Sequence, residues 1–546
     1  MKKKFIALLL AVLMLLSVAG CNASKSETTS QPTESTTQGS SSTVSSSKET
    51  TTQSSEETTT ETKEPVTITF RYTNFAGEQQ YTDQVEEKLN EILKTIKGYE
   101  NISIDLIPGT SNYPTEFTLA QANGDPIDIF NTFMLDVPTL VKDGDIMPMD
   151  DLMAQCPDLT AELPDWLIRY GQVNGTQYYI PTYQQAAKTA FLWTSQEYLD
   201  MYYTASGTTR EDVAHTLQEG SIEDKLDMYE AMALAIRKGT GLNTKYIEVN
   251  PYPMYWFNTD DCYEDNGNII MPEGGDKVVY WPMTKEYETI MRRYNEWFKS
   301  GLAVAAKTLK GATNGDSYSE PNSMIFRFDT NPVPEDAMAE TVSTDSVKCD
   351  AIRNTSHAYI PSIYAAGGNA IYTDCKHPVE AMKIIDLLMT EKGTEFYNTL
   401  CWGLEGIHWE WVDKSVPRIK TLEFDDTQGG PDTTYCAWNW NTGNTFNCWL
   451  NQASPRDDAH TYIKNVINEG PDTTVSPYNG ITWDYSSVAN QIAQCKAVDD
   501  EFYNTLYMAD DFDAQYEQYL TKLKAAGVQD ILDCANKTCQ DFLASK

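Results

Sequence analysis

The chain is short of almost everything a metalloenzyme or a nucleic-acid binder is built from. Only five of its 546 residues are His, at 215, 357, 377, 408 and 460, scattered without ligand spacing, so no metal site is expected. No Cys-x-x-Cys occurs, which removes zinc ribbons and thioredoxin-type redox motifs. Gly-x-Ser-x-Gly, His-Glu-x-x-His and phosphate-cradling glycine loops are missing as well, and no cofactor is expected. Positive charge is scarce: 41 Lys and Arg stand against 79 Asp and Glu, a net charge of −38. Nucleic acid and anionic membrane surfaces are excluded as partners, because their phosphates would be repelled.

What is present begins with an export signal. Lys2, Lys3 and Lys4 precede a 12-residue apolar run, Phe5 to Leu16, too short for a mature membrane span. The run leads into Val18-Ala19-Gly20-Cys21, which resembles a bacterial lipoprotein lipobox. That resemblance implies a signal peptide over 1–20, diacylglyceryl transfer to the Cys21 sulfur, and an anchored extracellular N-terminus. From Asn22 to Thr62, 25 of 41 residues are Ser or Thr and Val44 is the single large aliphatic. Such a segment cannot bury enough apolar surface to offset its ordering entropy, so 21–65 reads as a disordered tether. As a coil it spans about 35 Å, and at full stretch about 135 Å.

The body from residue 66 exceeds one ordinary core, so more than one unit is expected. It holds ten further Cys, with Cys436/Cys448 and Cys534/Cys539 closest in sequence. An even count outside the cell allows up to five bridges, and buried free thiols are the alternative. Val66 to Tyr72 alternates as a strand, and Val85, Leu89, Ile92, Leu93 and Ile96 share a helical face closed by Gly98. Strands at Ile102–Ile107 and Asp128–Phe133 with a helix at 113–122 complete a β-α-β-α-β order, which argues for a doubly wound parallel sheet. Ligands of such sheets sit beyond the strands' carboxyl ends, here Tyr72–Phe75 and Thr132–Asp136. Further helices carry Met228, Met232 and Ile236, ending at Gly239; Tyr287, Ile290, Tyr294 and Trp297, ending at Gly301; and Tyr516, Leu520 and Leu523, ending at Gly527. The fold class is α/β with two lobes.

Several landmarks in order resemble the bacterial extracellular solute-binding proteins of the sugar-binding class, the receptors of ABC importers. They are Ala120-Gln-Ala-Asn-Gly-Asp-Pro-Ile-Asp128, Val173-Asn-Gly-Thr-Gln-Tyr-Tyr-Ile-Pro181, Ala366-Gly-Gly-Asn-Ala-Ile371 with Pro378-Val-Glu-Ala, and Gly403-Leu-Glu405-Gly406. The resemblance implies a periplasmic-binding-protein-like fold with a cleft that closes by hinge bending. It implies lobe 1 from 66–182 with about 362–400, lobe 2 from 183–361 with about 401–500, and helices over 501–546 packed on the lobes. Permease subunits are the implied protein partners, the chain itself being a monomer and not an enzyme.

A sugar presents apolar C–H faces and hydroxyl edges, so its receptor needs flat rings and fixed polar groups. One ring covering ~60 Å² of sugar contributes roughly 1.5 kcal/mol. With 12 Trp and 32 Tyr, rings are plentiful. Trp256, in an Asn/Pro/Asp-rich loop, and Trp402, beside Glu405 and His408, are the ring candidates, while Trp438, Trp440 and Trp449 form another cluster and Trp166 and Trp297 read as core. Asn74, Thr132, Asp136, Tyr183 and Gln184 are polar candidates from strand ends, and Glu405 can accept two hydroxyls. Asn74 fits a turn role equally well. A carbohydrate, oligomeric by the wealth of rings, is the expected ligand; a peptide is the alternative, and a surface glycosidase the lesser one.

Overall fold

A computed structural model describes residues 64–546 apart from 264–266, 306–321, 330–346, 365, 423–433, 453 and 455. The leader, Cys21 and the Ser/Thr tail up to residue 63 lie outside the described residues.

Lobe 1 is built on β1 (Val66–Phe75), α1 (Thr82–Thr95), β2 (Ile102–Thr110), α2 (Tyr113–Asn123), β3 (Ile129–Asn131) and α3 (Val137–Asp143). β1 lies between β2 and β3 and runs parallel to both, with Val66 opposite Ile102 and Phe70 opposite Ile129. Helices cover both faces, so β1 buries nearly every residue instead of alternating. The sheet continues past β3 with Gly368–Ile371 and Tyr179–Pro181. Gly368–Ile371 is antiparallel to both of its neighbours, so the sheet is mixed and not wholly parallel as the β-α-β order suggests. The reason lies in the connectivity: this strand starts where the chain returns from the other lobe. One sheet edge therefore carries the carboxyl ends of β1, β3 and Tyr179–Pro181.

α1 buries Val85, Leu89, Ile92 and Leu93 but stops at Thr95, three residues before the expected Gly98 cap; Ile96 is already extended. The helix Ile222–Thr240 passes through the expected stop at Gly239 and ends at Gly241, which has φ +69°. Gly239 serves packing instead, since a Cβ there would meet Met201 Sδ at 2.6 Å. Lys285–Ser300 follows expectation, burying Tyr287, Ile290, Met291, Tyr294 and Trp297 and ending at Gly301.

Two large cores divide the chain. The first gathers β1, β2, the stretch 149–187, the helices Pro378–Met389 and Thr394–Trp402, and Tyr435, Ala437 and Cys448. The second gathers described residues between Ala190 and Ile352 with others between Tyr478 and Cys539. Residues 401–404 and 435–448 thus join lobe 1, where lobe 2 was expected, because Asn441 Nδ2 reaches the Thr73 carbonyl (3.1 Å), Asn398 Nδ2 donates to the Asn447 carbonyl (2.9 Å) and Tyr435 donates to the Leu400 carbonyl (2.7 Å). The C-terminal helices are likewise an integral part of lobe 2. Asp499, buried, accepts from Tyr280 (2.5 Å), Tyr519 (2.7 Å) and Asn268 (2.9 Å), stitching the helix Ala489–Tyr503 to that core.

The ten described cysteines are free thiols and mostly buried, so no bridge is formed. Burial pushes the Cys436 thiol up to about 12, which keeps it protonated and unreactive.

Between the cores the chain crosses three times, at 187–190, 353–358 and 475–478. The crossings lie side by side. Lys188 and Tyr359 exchange two backbone hydrogen bonds (2.7 and 3.0 Å), and Ala358–Ile360 pairs in parallel with Thr473–Val475. This three-stranded strap joins the two lobes.

Candidate functional site

The carboxyl ends of β1 and β3 carry an aromatic ledge. Phe75 and Phe133 meet edge to face at 6.0 Å, and Trp440 stacks on Phe75 at 6.4 Å and meets Phe133 edge-on at 5.0 Å. Trp438 lies beside Phe75 at 6.3 Å. All four rings are only partly buried, and Met134 at the rim is 48% exposed. Partly exposed rings in such number face something other than a core.

The backbone holds this ledge at a cost. Phe75 and Met134 both have φ +66°, a left-handed conformation that costs an ordinary side chain about 1–2 kcal/mol. Strain of this kind persists where the surroundings over-determine it. Here Asn131 donates to the Asn441 carbonyl and accepts from Phe133 N (2.9 Å), Trp438 Nε1 donates to the Asn74 carbonyl (3.1 Å), and Asn369 Nδ2 donates to the Thr442 carbonyl (2.8 Å).

The ledge adjoins the strap. Thr182 Oγ1 donates to the Trp440 carbonyl (3.0 Å) while Thr182 N donates to the Gly367 carbonyl (3.1 Å), where the first two crossings leave lobe 1. Gly367 has φ +70°, and a Cβ there would lie 2.7 Å from Phe133 N, so only glycine lets the second crossing lie against the ledge. Lobe 2 also comes near α3, which follows β3. The carboxyl of Asp484 is held below its ordinary range mainly by Ser486, and Lys142 of α3 adds a smaller attraction from lobe 1. Where lobe 2 meets the strap, Lys188, Thr189, Met254, Phe257, Asn258 and Tyr359 line a small recess.

The residues singled out from sequence occupy different places. Asn74 sits at the ledge but its side chain is fully spent, accepting from Ala76 and Gly77 N and donating to Gly77, Gln79 and Cys436. It is the turn residue after β1. Thr132 accepts from Gly368 N (2.9 Å) and is buried between strands. Asp136 is exposed at the N-terminus of α3, where it accepts from Thr139 N (3.3 Å) and Oγ1 (2.7 Å). Tyr183 is fully buried, bonded through its hydroxyl to Glu469 and packed edge-on against Trp166 and Phe446. Gln184 lies just before the first crossing, its carbonyl accepting from Asn468 (2.8 Å).

Trp256 departs furthest from its sequence reading. It is 1% exposed and packs among Tyr229, Tyr294 and Phe328 in the core of lobe 2, while its carbonyl accepts from the buried Lys225 Nζ at 2.8 Å. Trp297 is core as expected, and Trp166 is half-buried against lobe 1. Trp402 is half-buried, and its Nε1 has no hydrogen-bond partner among the described residues. Glu405 is exposed on a tight turn that closes through Gly406 N to the Trp409 carbonyl (2.7 Å). Trp409, Trp411 and Trp449 cluster with one another, at 4.6 to 5.2 Å.

The site therefore gathers Trp438, Trp440, Phe75 and Phe133 in place of Trp256. The expectation that ligands lie beyond Tyr72–Phe75 and Thr132–Asp136 points at this edge; from sequence Trp438 and Trp440 stand out only as a cluster with Trp449 and not as ring candidates, and Phe75 and Phe133 are not singled out. Among the described residues no group of His, Cys, Asp and Glu is arranged to hold a metal. None of their helices is long and apolar enough to cross a membrane.

Comparison with known proteins places this geometry. A family model described as a domain of unknown function (DUF3502) matches residues 477–544, the end of the third crossing and the helices of lobe 2. A carbohydrate ABC transporter substrate-binding protein of Streptococcus pneumoniae serotype 4 is 25% identical over 178 residues, covering 32% of this chain and 34% of the relative. The chain thus aligns with about a third of the length of that curated relative. The crystal structure of the N-glycan transport solute-binding protein NgtS from S. pneumoniae superimposes with a TM-score of 0.67 at 17% identity, covering 88% of this chain and 99% of that one. A human-milk-oligosaccharide (HMO) binding, ABC-transporter-associated solute-binding protein from Bifidobacterium longum infantis gives 0.55 at 13% identity, covering 87% and 98%. Two cores, three crossings and these superpositions agree: the chain has the two-lobed α/β fold of the solute-binding proteins.

Proposed function

We propose that the chain is the extracellular carbohydrate receptor of an ABC importer, capturing an oligosaccharide between its lobes and releasing it unchanged. The observation that carries this reading is the ledge of Phe75, Phe133, Trp438 and Trp440, held half-exposed at the strand ends beside the strap. Rings so placed match the C–H faces of successive sugar units, and the exposed Asp136 at the rim offers an acceptor for hydroxyls. Rotation of lobe 2 about the strap closes the cleft, expels water and strengthens each hydrogen bond made inside. The ligand shifts the lobes toward the closed arrangement only by its extra contacts there. The names of the similar proteins, which include a carbohydrate transporter's binding protein and an N-glycan receptor, support the same ligand class. In this reading Cys21 carries the lipid, residues 21–65 are the tether, and permease subunits receive the loaded receptor.

The test is a fluorescence titration with neutral oligosaccharides. Stacking of sugar on Trp438 and Trp440 is expected to give a saturable blue shift that disappears when both are replaced by Phe. A saturable shift of the same size in the double variant would remove the ledge from the site.

A further inference from the structure

We propose that the Pro361–Ser362 peptide is the pivot pin of lobe rotation, and that Asp260 is the lobe 2 residue that positions it. This rests on the receptor reading only for the purpose of the motion. A peptide unit is rigid and planar, so a bond at each end fixes its direction. The carbonyl of Pro361 accepts from the Tyr170 hydroxyl of lobe 1, and the N–H of Ser362 donates to Asp260 Oδ1 (2.5 Å), on the lobe 2 strand Thr259–Asp261. One peptide is thus held from both sides.

The other contacts of Asp260 converge on the same strap. Its Oδ2 accepts from Tyr359 (3.1 Å) on the second crossing and from Ser476 (2.8 Å) on the third. The first crossing is tied in through the Lys188–Tyr359 backbone pair. On the lobe 1 side the Tyr170 ring stacks on Tyr364 at 5.0 Å and 19°, and Tyr364 donates to the Thr182 carbonyl (2.9 Å). With both ends clamped the peptide cannot slide, and the remaining freedom is rotation about it.

Asp260 is 1% exposed. The titratable groups near it are Asp261 on its own strand, Tyr359 on the second crossing, Tyr170 of lobe 1, and Cys262, Tyr478 and Cys539 of lobe 2. Lys188 faces Asp261 instead, and the His357–Glu273 pair (2.8 Å) lies further along the strap, with Glu273 also accepting from Thr474 (3.1 Å). Among the described residues no cation pairs with Asp260. Burial therefore pushes its carboxyl up to about 6, against the opposing pull of its three donors.

The sign of the pH effect follows. The folded protein binds this proton more tightly than the unfolded chain, so between about pH 4 and pH 6 acidification raises this group's contribution to stability. Yet the protonated acid loses the charge that strengthens its three bonds, and it must turn one hydroxyl, Tyr359 or Ser476, from donor to acceptor, so its hold on the strap weakens. Acidification should therefore loosen the hinge without melting the lobes, a combination that a purely structural carboxylate would not produce.

Hydrogen exchange followed by mass spectrometry on the full chain without ligand tests this. The diagnostic amides are Ala186 and Ala187, which donate to Asn468 Oδ1 (2.9 and 3.1 Å) where the first crossing leaves lobe 1 and do not touch Asp260. In Asp260→Asn at about pH 7.5 they should exchange about tenfold faster than in the wild type. The wild type should show the same gain near pH 5, after correction for intrinsic rates. Tyr170→Phe, which frees the same peptide from lobe 1 and keeps the ring stack, should match it even if Asp260→Asn fails to fold. Faster exchange confined to Tyr359–Ser362 and Ser476, or none at all, would overturn the proposal. No sugar enters the experiment, so a failure to bind carbohydrate leaves this outcome readable.

Discussion

Replacing Trp440 by alanine should lower oligosaccharide affinity by about 30- to 150-fold, the cost of truncating an aromatic hot spot worth about 2–3 kcal/mol. Trp440 is the centre of the ledge: it touches both Phe75 and Phe133, which otherwise come from different strands. Losing it removes one stacking surface and leaves the other two rings free to collapse. The fold should tolerate the change, because the ring is only half-buried and the Trp440 carbonyl still accepts from Thr182. A fall in Tm below about 3 °C is expected. Trp440→Phe should keep most of the affinity, since a smaller flat ring still covers a sugar face. Calorimetric affinities for the three proteins check this, and an unchanged Kd in Trp440→Ala would show that sugar lies elsewhere.

Trp256→Ala should behave in the opposite way. Trp256 fills the lobe 2 core between Tyr229 at 5.9 Å and Phe328 at 6.0 Å, and its removal leaves a large cavity. A loss of about 3–5 kcal/mol is expected, enough to leave a substantial fraction of lobe 2 unfolded at physiological temperature. Affinity per folded molecule should stay at the wild-type value. Denaturant unfolding alongside binding, corrected for the folded fraction, separates the two effects. A stable variant with lost affinity would restore Trp256 to the ligand site.

These two tryptophans also show what the sequence makes legible. Local patterns sufficed for the strand-helix alternation and for the buried faces of α1 and of the helix Lys285–Ser300, because each depends on residues a few positions apart. The strand order at 66–133 likewise pointed to the edge that carries the aromatic ledge. Contacts between distant segments were not legible. Trp256 lies in a polar-looking loop, yet it is covered by a lysine from a helix 31 positions earlier and by Phe328. Trp440 owes its exposure to meeting Phe75 and Phe133, more than 300 residues away in sequence. Asn74, Thr132 and Tyr183 carry residue types that suit a sugar, but their hydrogen-bonding groups are taken by Cys436, Gly368 and Glu469. The lobe boundaries slipped for the same reason: the order of landmarks does not reveal that 401–404 and 435–448 pack with lobe 1 or that 501–539 is part of the lobe 2 core. Helix ends slipped where a glycine such as Gly239 is needed for close packing and not for a turn.

Calorimetric titration of the full chain with a panel of neutral oligosaccharides, alongside peptides and polyamines, tests the central claim most directly when the bound ligand is recovered and weighed by mass spectrometry. Saturable binding of a sugar with a negative heat-capacity change, the sugar returning intact and the peptides and polyamines silent, is the expected result. Binding of peptides or polyamines alone, or a sugar returned cleaved, would contradict it.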